Sequence, residues 1–385
     1  MQNVIIPWSD NWWIEKDRAW FCAGEIGALF CIDMNSLECE LVGWIPDCDT
    51  KNFRLYPYCI KYKNKVLCLP ALGKDIWYYN LDQKSWRKIE IGNIERVMTS
   101  YMACMQDDRR IWLLEEKRGR VFAINIEEEI LETEYYLSDL EDNDFFGGYV
   151  CVQNNLYYLI KDKMYCLDMN SGNISIHKID GAEGGLYSLS YDGFNFWLSG
   201  CCNEIYVWNP QEGNVRVVEL PLKQSYLFSQ QPAFCATVVM GKYIWCIPFQ
   251  VSEIIYIDIE TYEVASLEIE EEQQAKESIE DNLIDHKYLF EYIRENRYIG
   301  LYSLKNQWIF EIDTIDLCAR RKTYTLSDTT MQTLFTAFSR DKIALNENNN
   351  LEKMFFPMLL KKDEEKQKEI YYNAGEAIFN KIKNM

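Results

Sequence analysis

Six carboxylates stand at comparable places in this 385-residue chain: Glu25, Asp75, Glu115, Asp162, Glu204 and Glu253 each precede, or lie beside, a short apolar segment ending in Asp or Asn. Two such groups facing each other across a glycosidic bond could act as acid and base, or as acid and nucleophile. With 60 acidic residues in the chain, carboxylates at such places are also expected by chance. Other reactive groups are scarce. Two histidines, His177 and His286, exclude a His-rich metal centre and leave a nucleophile–histidine pair few options. No G-x-S-x-G, P-loop, G-x-G-x-x-G, H-E-x-x-H or EF-hand spacing occurs, so no catalytic residue, cofactor site or metal site is assigned.

A second set of residues is suited to recognition. Trp44, Phe53, Arg54, Tyr56, Arg96, Phe145, Phe146, Tyr226, Leu227 and Phe228 fall in irregular stretches at 44–57, 92–100, 138–148 and 221–232; a further such stretch spans 270–287. Aromatic and arginine side chains in variable loops are the types that dominate binding hot spots, although several could instead pack beneath the loops. The fourteen cysteines include no C-x-x-C and no His–Cys grouping at zinc spacing. Most sit beside aliphatic residues (Cys22, Cys31, Cys59, Cys68, Cys151, Cys166, Cys235, Cys246), where a reduced thiol serves as a small hydrophobe. Cys201-Cys202 lies in a loop.

The elements that must position these residues are repeats. An aliphatic residue and, in all copies but one, an aromatic recur four and three positions before an Asx: Leu29-Phe30 before Asp33, Ile76-Trp77 before Asn80, Val121-Phe122 before Asn125, Met164-Tyr165 before Asp168, Ile205-Tyr206 before Asn209, Ile254-Ile255 before Asp258 and Ile309-Phe310 before Asp313. The Asx residues stand 41 to 55 positions apart, the period of propeller blades. In the second copy, 58–62, 66–70, 75–80 and 86–91 read as four strands of a meander. Asx fits the end of the third strand because its short side chain can accept a hydrogen bond from the backbone two residues on. First strands open on Trp13, Tyr58, Tyr101, Tyr149, Tyr187, Phe234 and Tyr288. Second strands are apolar almost throughout, as a strand buried on both faces requires.

Residues 75–89, DIWYYNLDQKSWRKI, resemble the second half of a kelch repeat, including the tryptophan after the turn; 204–221 and 163–179 are looser matches. The resemblance covers residues 12–326 and implies a propeller. The kelch diglycine after the second strand is absent, since Gly147-Gly148 and Gly184-Gly185 precede first strands, so the repeat is degenerate and implies little about activity. Ser190-Tyr191-Asp192-Gly193 with Trp197 is similar to the Asp-box of sialidase propellers but has its glycine one place early; it reads as an Asp-Gly hairpin.

The expectation is an all-β propeller over residues 1–360, with blades at about 12–46, 56–92, 101–138, 147–181, 186–222, 233–269 and 287–326. Segments 2–7 and 333–357 close the ring, the latter with strands at 334–338 and 342–345; an eighth, split blade and seven blades with an accessory hairpin stand as alternatives. Residues 268–285 read as an acidic excursion and 361–385 as an amphipathic helix that docks on the propeller, with Ile370, Ala374, Ile378 and Ile382 on one face. The net charge of −20 and the lack of a basic stripe exclude a nucleic-acid binder and favour, weakly, a basic partner. No apolar run nears the roughly 20 residues that span a bilayer, and residues 1–7 lack the pattern of a secretion signal, so a cytoplasmic protein is expected. Function on such a fold belongs on the face that carries the loops between second and third strands and the linkers between blades. The expectation is therefore a non-enzymatic scaffold that binds a protein or peptide there. A propeller enzyme acting on a carbohydrate or other small substrate through paired carboxylates is the alternative, and a chaperone-like partner of another gene product differs from the scaffold only in what is bound.

Overall fold

A computed structural model describes residues 9, 11–24, 26–46, 48, 55–71, 73, 75–90, 101–107, 109–115, 119–136, 146–182, 185–200, 203–222, 233–249, 253–267, 269, 288–303 and 308–339. They form seven four-stranded antiparallel blades, an all-β fold of the propeller type. The blades are β1 to β4 (Trp13–Glu15, Arg18–Ala23, Ala28–Asp33, Glu38–Trp44), β5 to β8 (Tyr58–Tyr62, Lys65–Leu69, Ile76–Asn80, Ser85–Ile89), β9 to β12 (Tyr101–Gln106, Arg110–Glu115, Arg120–Asn125, Ile130–Tyr136) and β13 to β16 (Phe146–Val152, Asn155–Ile160, Lys163–Asp168, Ile174–Lys178). The remaining three are β17 to β20 (Leu186–Tyr191, Phe196–Gly200, Glu204–Trp208, Val215–Glu219), β21 to β24 (Phe234–Met240, Tyr243–Pro248, Ile254–Asp258, Val264–Leu267) and β25 to β28 (Tyr288–Arg294, Tyr298–Ser303, Trp308–Asp313, Cys318–Lys322).

The Asx that ends each third strand closes its own turn. Asp33 accepts from the N–H groups of Asn35 and Ser36, Asn80 from Asp82 and Gln83, and Asn125 from Glu127 and Glu128. Asp168 accepts from the Asn170 N–H and the Ser171 hydroxyl, Asn209 from Gln211 and Glu212, Asp258 from Glu260 and Thr261, and Asp313 from Ile315 and Asp316. Second strands such as β2, β10 and β18 are buried almost throughout, whereas fourth strands such as β16 and β20 are largely exposed. The core therefore lies between neighbouring blades. Trp112, Trp197 and Trp245 occupy second strands and are among the largest fully buried side chains, each large enough to remove some 150–250 Å² from water.

The chain divides into two compact units, Met102–Arg321 and the combination of Met1–Tyr101 with Lys322–Met385. In the former, successive first strands pack side by side, β13 on β17, β17 on β21 and β21 on β25. Gly147-Gly148, expected ahead of a first strand, lies inside β13. The correction has a packing reason: a Cβ on Gly148 would stand 2.5 Å from the Leu189 nitrogen of β17, so backbone meets backbone across the two blades. The Asp-Gly hairpin is as expected, with Asp192 accepting from the N–H groups of Phe194 and Asn195 and from the Trp197 indole.

In the other unit the first two blades share a core that includes Trp20, Cys22, Cys59, Val66, Cys68 and Tyr79. The eleven cysteines whose side chains are described are all free, and burial pushes thiols such as Cys22, Cys39 and Cys59 well above their usual range, so they act as apolar filler. A short fifth strand, β29 (Thr325–Leu326), adds parallel to β4 and leads into helix α1 (Asp328–Ser339). Residues 334–338 are thus helical, not the strand expected. Ser327 supplies the N-cap, its hydroxyl accepting from the Thr330 N–H at 3.2 Å, and Thr330, Met331, Leu334 and Ala337 form a buried face at helical spacing. Segments 2–7, 342–357, 361–385 and the excursion apart from Ile269 lie outside the described residues.

Candidate functional site

On the face carrying the second-to-third-strand turns and the linkers, the fourth blade opens a cavity of about 570 Å³ lined by Lys161, Asp162, Lys178, Ile179, Gly181, Ala182 and Gly185. Its two walls come from separate parts of the chain. The β14–β15 turn supplies Lys161 and Asp162, and the end of β16 with the segment that follows it supplies the rest. Backbone hydrogen bonds pin them together: the Ile179 N–H donates to the Asp162 carbonyl at 3.0 Å and the Leu186 N–H to the Lys161 carbonyl at 2.8 Å. The next blade closes one side, where the Tyr206 hydroxyl stands 3.1 Å from the Gly181 carbonyl and 2.7 Å from Glu204 Oε2. Gly181 and Gly185 have φ of +83° and +99°, a left-handed backbone that favours glycine and so leaves these two positions without a side chain. The volume falls in the range of small-ligand and peptide-anchor pockets.

The linker after the first blade is built the opposite way. Tyr56 is only 3 % exposed and belongs, with Leu55, to the core between the first two blades. The Leu55 carbonyl accepts from the N–H groups of Ala71 and Gly73, and a Cβ on Gly73 would stand 2.6 Å from the Tyr56 ring. Trp44 ends β4 half-buried, opposite Ala28. Of the other recognition candidates, Phe146 contributes backbone to β13, while Phe53, Arg54, Arg96, Phe145, Tyr226, Leu227 and Phe228 lie outside the described residues, as do Cys201-Cys202 and His286.

Most carboxylates described on this face are engaged by their own surroundings. Asp75 pairs with Lys88 at 3.7 Å. Glu115 is fully buried with Arg120 Nη1 3.7 Å away, and the same guanidinium also bonds Glu134. Burial raises the Glu134 carboxyl, but hydrogen bonds from Tyr136 and Arg120 outweigh it and hold the group below its usual range. Glu204 is bonded by Tyr206, Glu253 is buried, Asp162 lines the cavity, and Glu25 lies outside the described residues. His177 sits on β16 against Trp208, its ring centroid 5.0 Å from that of the indole. Among the described residues no group of three or more His, Cys, Asp or Glu could hold a metal ion, and no described helix is long and apolar enough to cross a membrane.

Sequence reasoning missed the lysines and glycines of the cavity. The signal was present in the run Gly181-Ala182-Glu183-Gly184-Gly185 after a strand ending in Lys178, a linker with no large apolar side chain to fill the space beside it.

These blades define the class of the protein, a seven-bladed β-propeller, and comparison with solved structures agrees. The chain is similar in structure to a catalytically inactive virginiamycin B lyase from Staphylococcus aureus with quinupristin, at 14 % identity and a TM-score of 0.56 over 78 % of this chain and 95 % of that one. It is similar to PorZ, a surface component of the type-IX secretion system of Porphyromonas gingivalis, at 8 % identity and TM-score 0.53 over 85 % of this chain and 39 % of that one. A chain of the mitotic checkpoint complex matches at 8 % identity and TM-score 0.54, covering 84 % of this chain and 87 % of that one. No family model and no curated protein matches the sequence.

Proposed function

We propose that the chain is a non-enzymatic β-propeller scaffold, built of degenerate kelch-like repeats, that binds a protein or peptide on its linker face in the cytoplasm. What supports this reading is the cavity on that face, whose walls are held by backbone hydrogen bonds while the space between them stays open. The engagement of Asp75, Glu115 and Glu204 by neighbouring groups favours recognition over carboxylate catalysis. Propellers similar in structure include both a lyase and a member of a protein assembly, so fold alone does not choose between the two uses. The linker residues Trp44, Phe53, Arg54, Arg96, Phe145, Phe146, Tyr226 and Phe228 are proposed to contribute contacts, with Tyr56 supporting them from below; segment 361–385 is proposed to dock on the propeller. Replacing Arg54, Arg96, Tyr226 and Phe228 together by alanine is expected to abolish co-purification of the partner with the melting curve nearly unchanged. Retained binding would reject this face.

A further inference from the structure

The fourth blade carries a charge arrangement that its own stability does not account for. Lys163 and Lys178 are direct partners in the β15–β16 register, so both side chains leave the same face of the sheet at the end beside the cavity. Both are exposed, and neither makes an ion pair among the described residues. Like charges placed directly opposite on antiparallel strands repel and destabilise the pair. The other cationic cavity residue, Lys161, lies two positions before Lys163 and belongs to the other wall from Lys178. Among the described residues the negative groups of these segments are Asp162, Asp180 and Glu204, the last bonded by the Tyr206 hydroxyl, while Glu183 lies outside the described residues. An anion at the mouth of the cavity would bridge the two facing lysines and remove their repulsion.

We propose, building on the linker-face reading above, that this cavity takes a short acidic peptide segment, whose carboxylate is held by Lys163 and Lys178 and whose backbone lies against Gly181, Ala182 and Gly185. Side chains would obstruct such an approach, and Gly181, Ala182 and Gly185 present almost none. The overall charge of −20 repels an acidic ligand at long range, but salt screens that field beyond about 8–10 Å, inside which the lysines dominate. The site thus departs from the basic partner that net charge alone suggests.

The probe is a fluorescein-labelled peptide of alternating Glu and Gly, titrated with the full chain and followed by fluorescence anisotropy, beside its Gln-for-Glu analogue. The native chain is expected to bind the Glu peptide and not the Gln analogue, with affinity falling as salt is added. The K163Q/K178Q variant is expected to bind about tenfold more weakly or not at all while melting at or above the native temperature, because it removes a repulsive pair. Equal binding of the two peptides, equal binding by the variant, or no binding to the native chain would each overturn the proposal. A variant that melts well below the native protein would show that the lysines serve the fold and would overturn it too. Those results leave the wider reading standing if the alanine variant of Arg54, Arg96, Tyr226 and Phe228 still loses its partner; if that variant keeps its partner, the linker-face reading fails instead.

Discussion

The linker after the first blade and the linker after the fourth occupy the same place in the repeat and are used in opposite ways. The first sends Leu55 and Tyr56 down into the core and locks them over Gly73. The fourth, which includes Gly181, Ala182 and Gly185 in its described part, leaves about 570 Å³ open beside Lys161 and Lys178. Aromatic residues in a propeller linker are thus as apt to serve packing as recognition, and a linker poor in side chains is where space is left for another molecule. Composition points to hot spots; volume decides where they can act.

Substitutions in the two linkers should separate these roles. The largest effect belongs to Tyr56→Ala, which empties a nearly filled site and should destabilise by about 3–5 kcal/mol in urea melts. A loss below about 1 kcal/mol would place Tyr56 with the recognition residues instead. Gly73→Ala follows at about 1–3 kcal/mol, because its Cβ must displace the Tyr56 ring or the Leu55 carbonyl, 2.9 Å away. On the other side of the comparison, Tyr206→Phe removes one hydroxyl shared between Gly181 and Glu204 and should reduce stability by about 1 kcal/mol. It should also loosen the cavity wall, read as faster amide exchange around Gly181.

Acid provides an internal control common to both units. Backbone N–H groups of Ser36 and Asn35 lower the Asp33 carboxyl, and the Ser171 hydroxyl followed by the Asn170 N–H lowers Asp168. The Thr261 N–H, then Lys242, brings Asp258 down to about 2. The folded state favours the ionised form of each, so their stabilisation is complete above about pH 4 and is lost as pH falls toward about 2. Urea midpoints should therefore decline through that window, and Asp168→Asn, which keeps an acceptor for the Asn170 N–H but loses the carboxylate and the oxygen that accepts from the Ser171 hydroxyl, should lower the midpoint at pH 7 and flatten the decline. An unchanged decline would detach acid sensitivity from the turns. The smallest stability effect, within about 0.5 kcal/mol, is expected for K163Q/K178Q.

How much of this was legible in the sequence depended on whether the physical requirement was local. The Asx pattern found the third-strand turns because a short acceptor is needed at one fixed place, and the turn of every blade uses it. Of the second blade's strands, observed at 58–62, 65–69, 76–80 and 85–89, the first is as read and the other three differ by one or two residues at their ends. The requirement on Gly147-Gly148 is not local: it is imposed by β17 in the next blade, which no pattern within the fourth blade reveals. The misreading of 334–338 followed from weighing its apolar residues apart from the cap at Ser327, which directly follows β29 and starts a helix. The candidate site divided in the same way. The unequal lengths of the linkers could be read from the sequence, whereas the burial of Tyr56 and the cavity beside Lys178 depended on how separate segments pack.

The central claim, that the linker side of the blades recognises a partner while the Asx turns only build the fold, is tested most directly by hydrogen–deuterium exchange of the full chain with and without the Glu-Gly peptide. The account predicts slower exchange at 161–163 and 178–186 and no change at the turns 34–37, 81–84 and 169–172; protection confined to those turns, or none at 178–186, would contradict it.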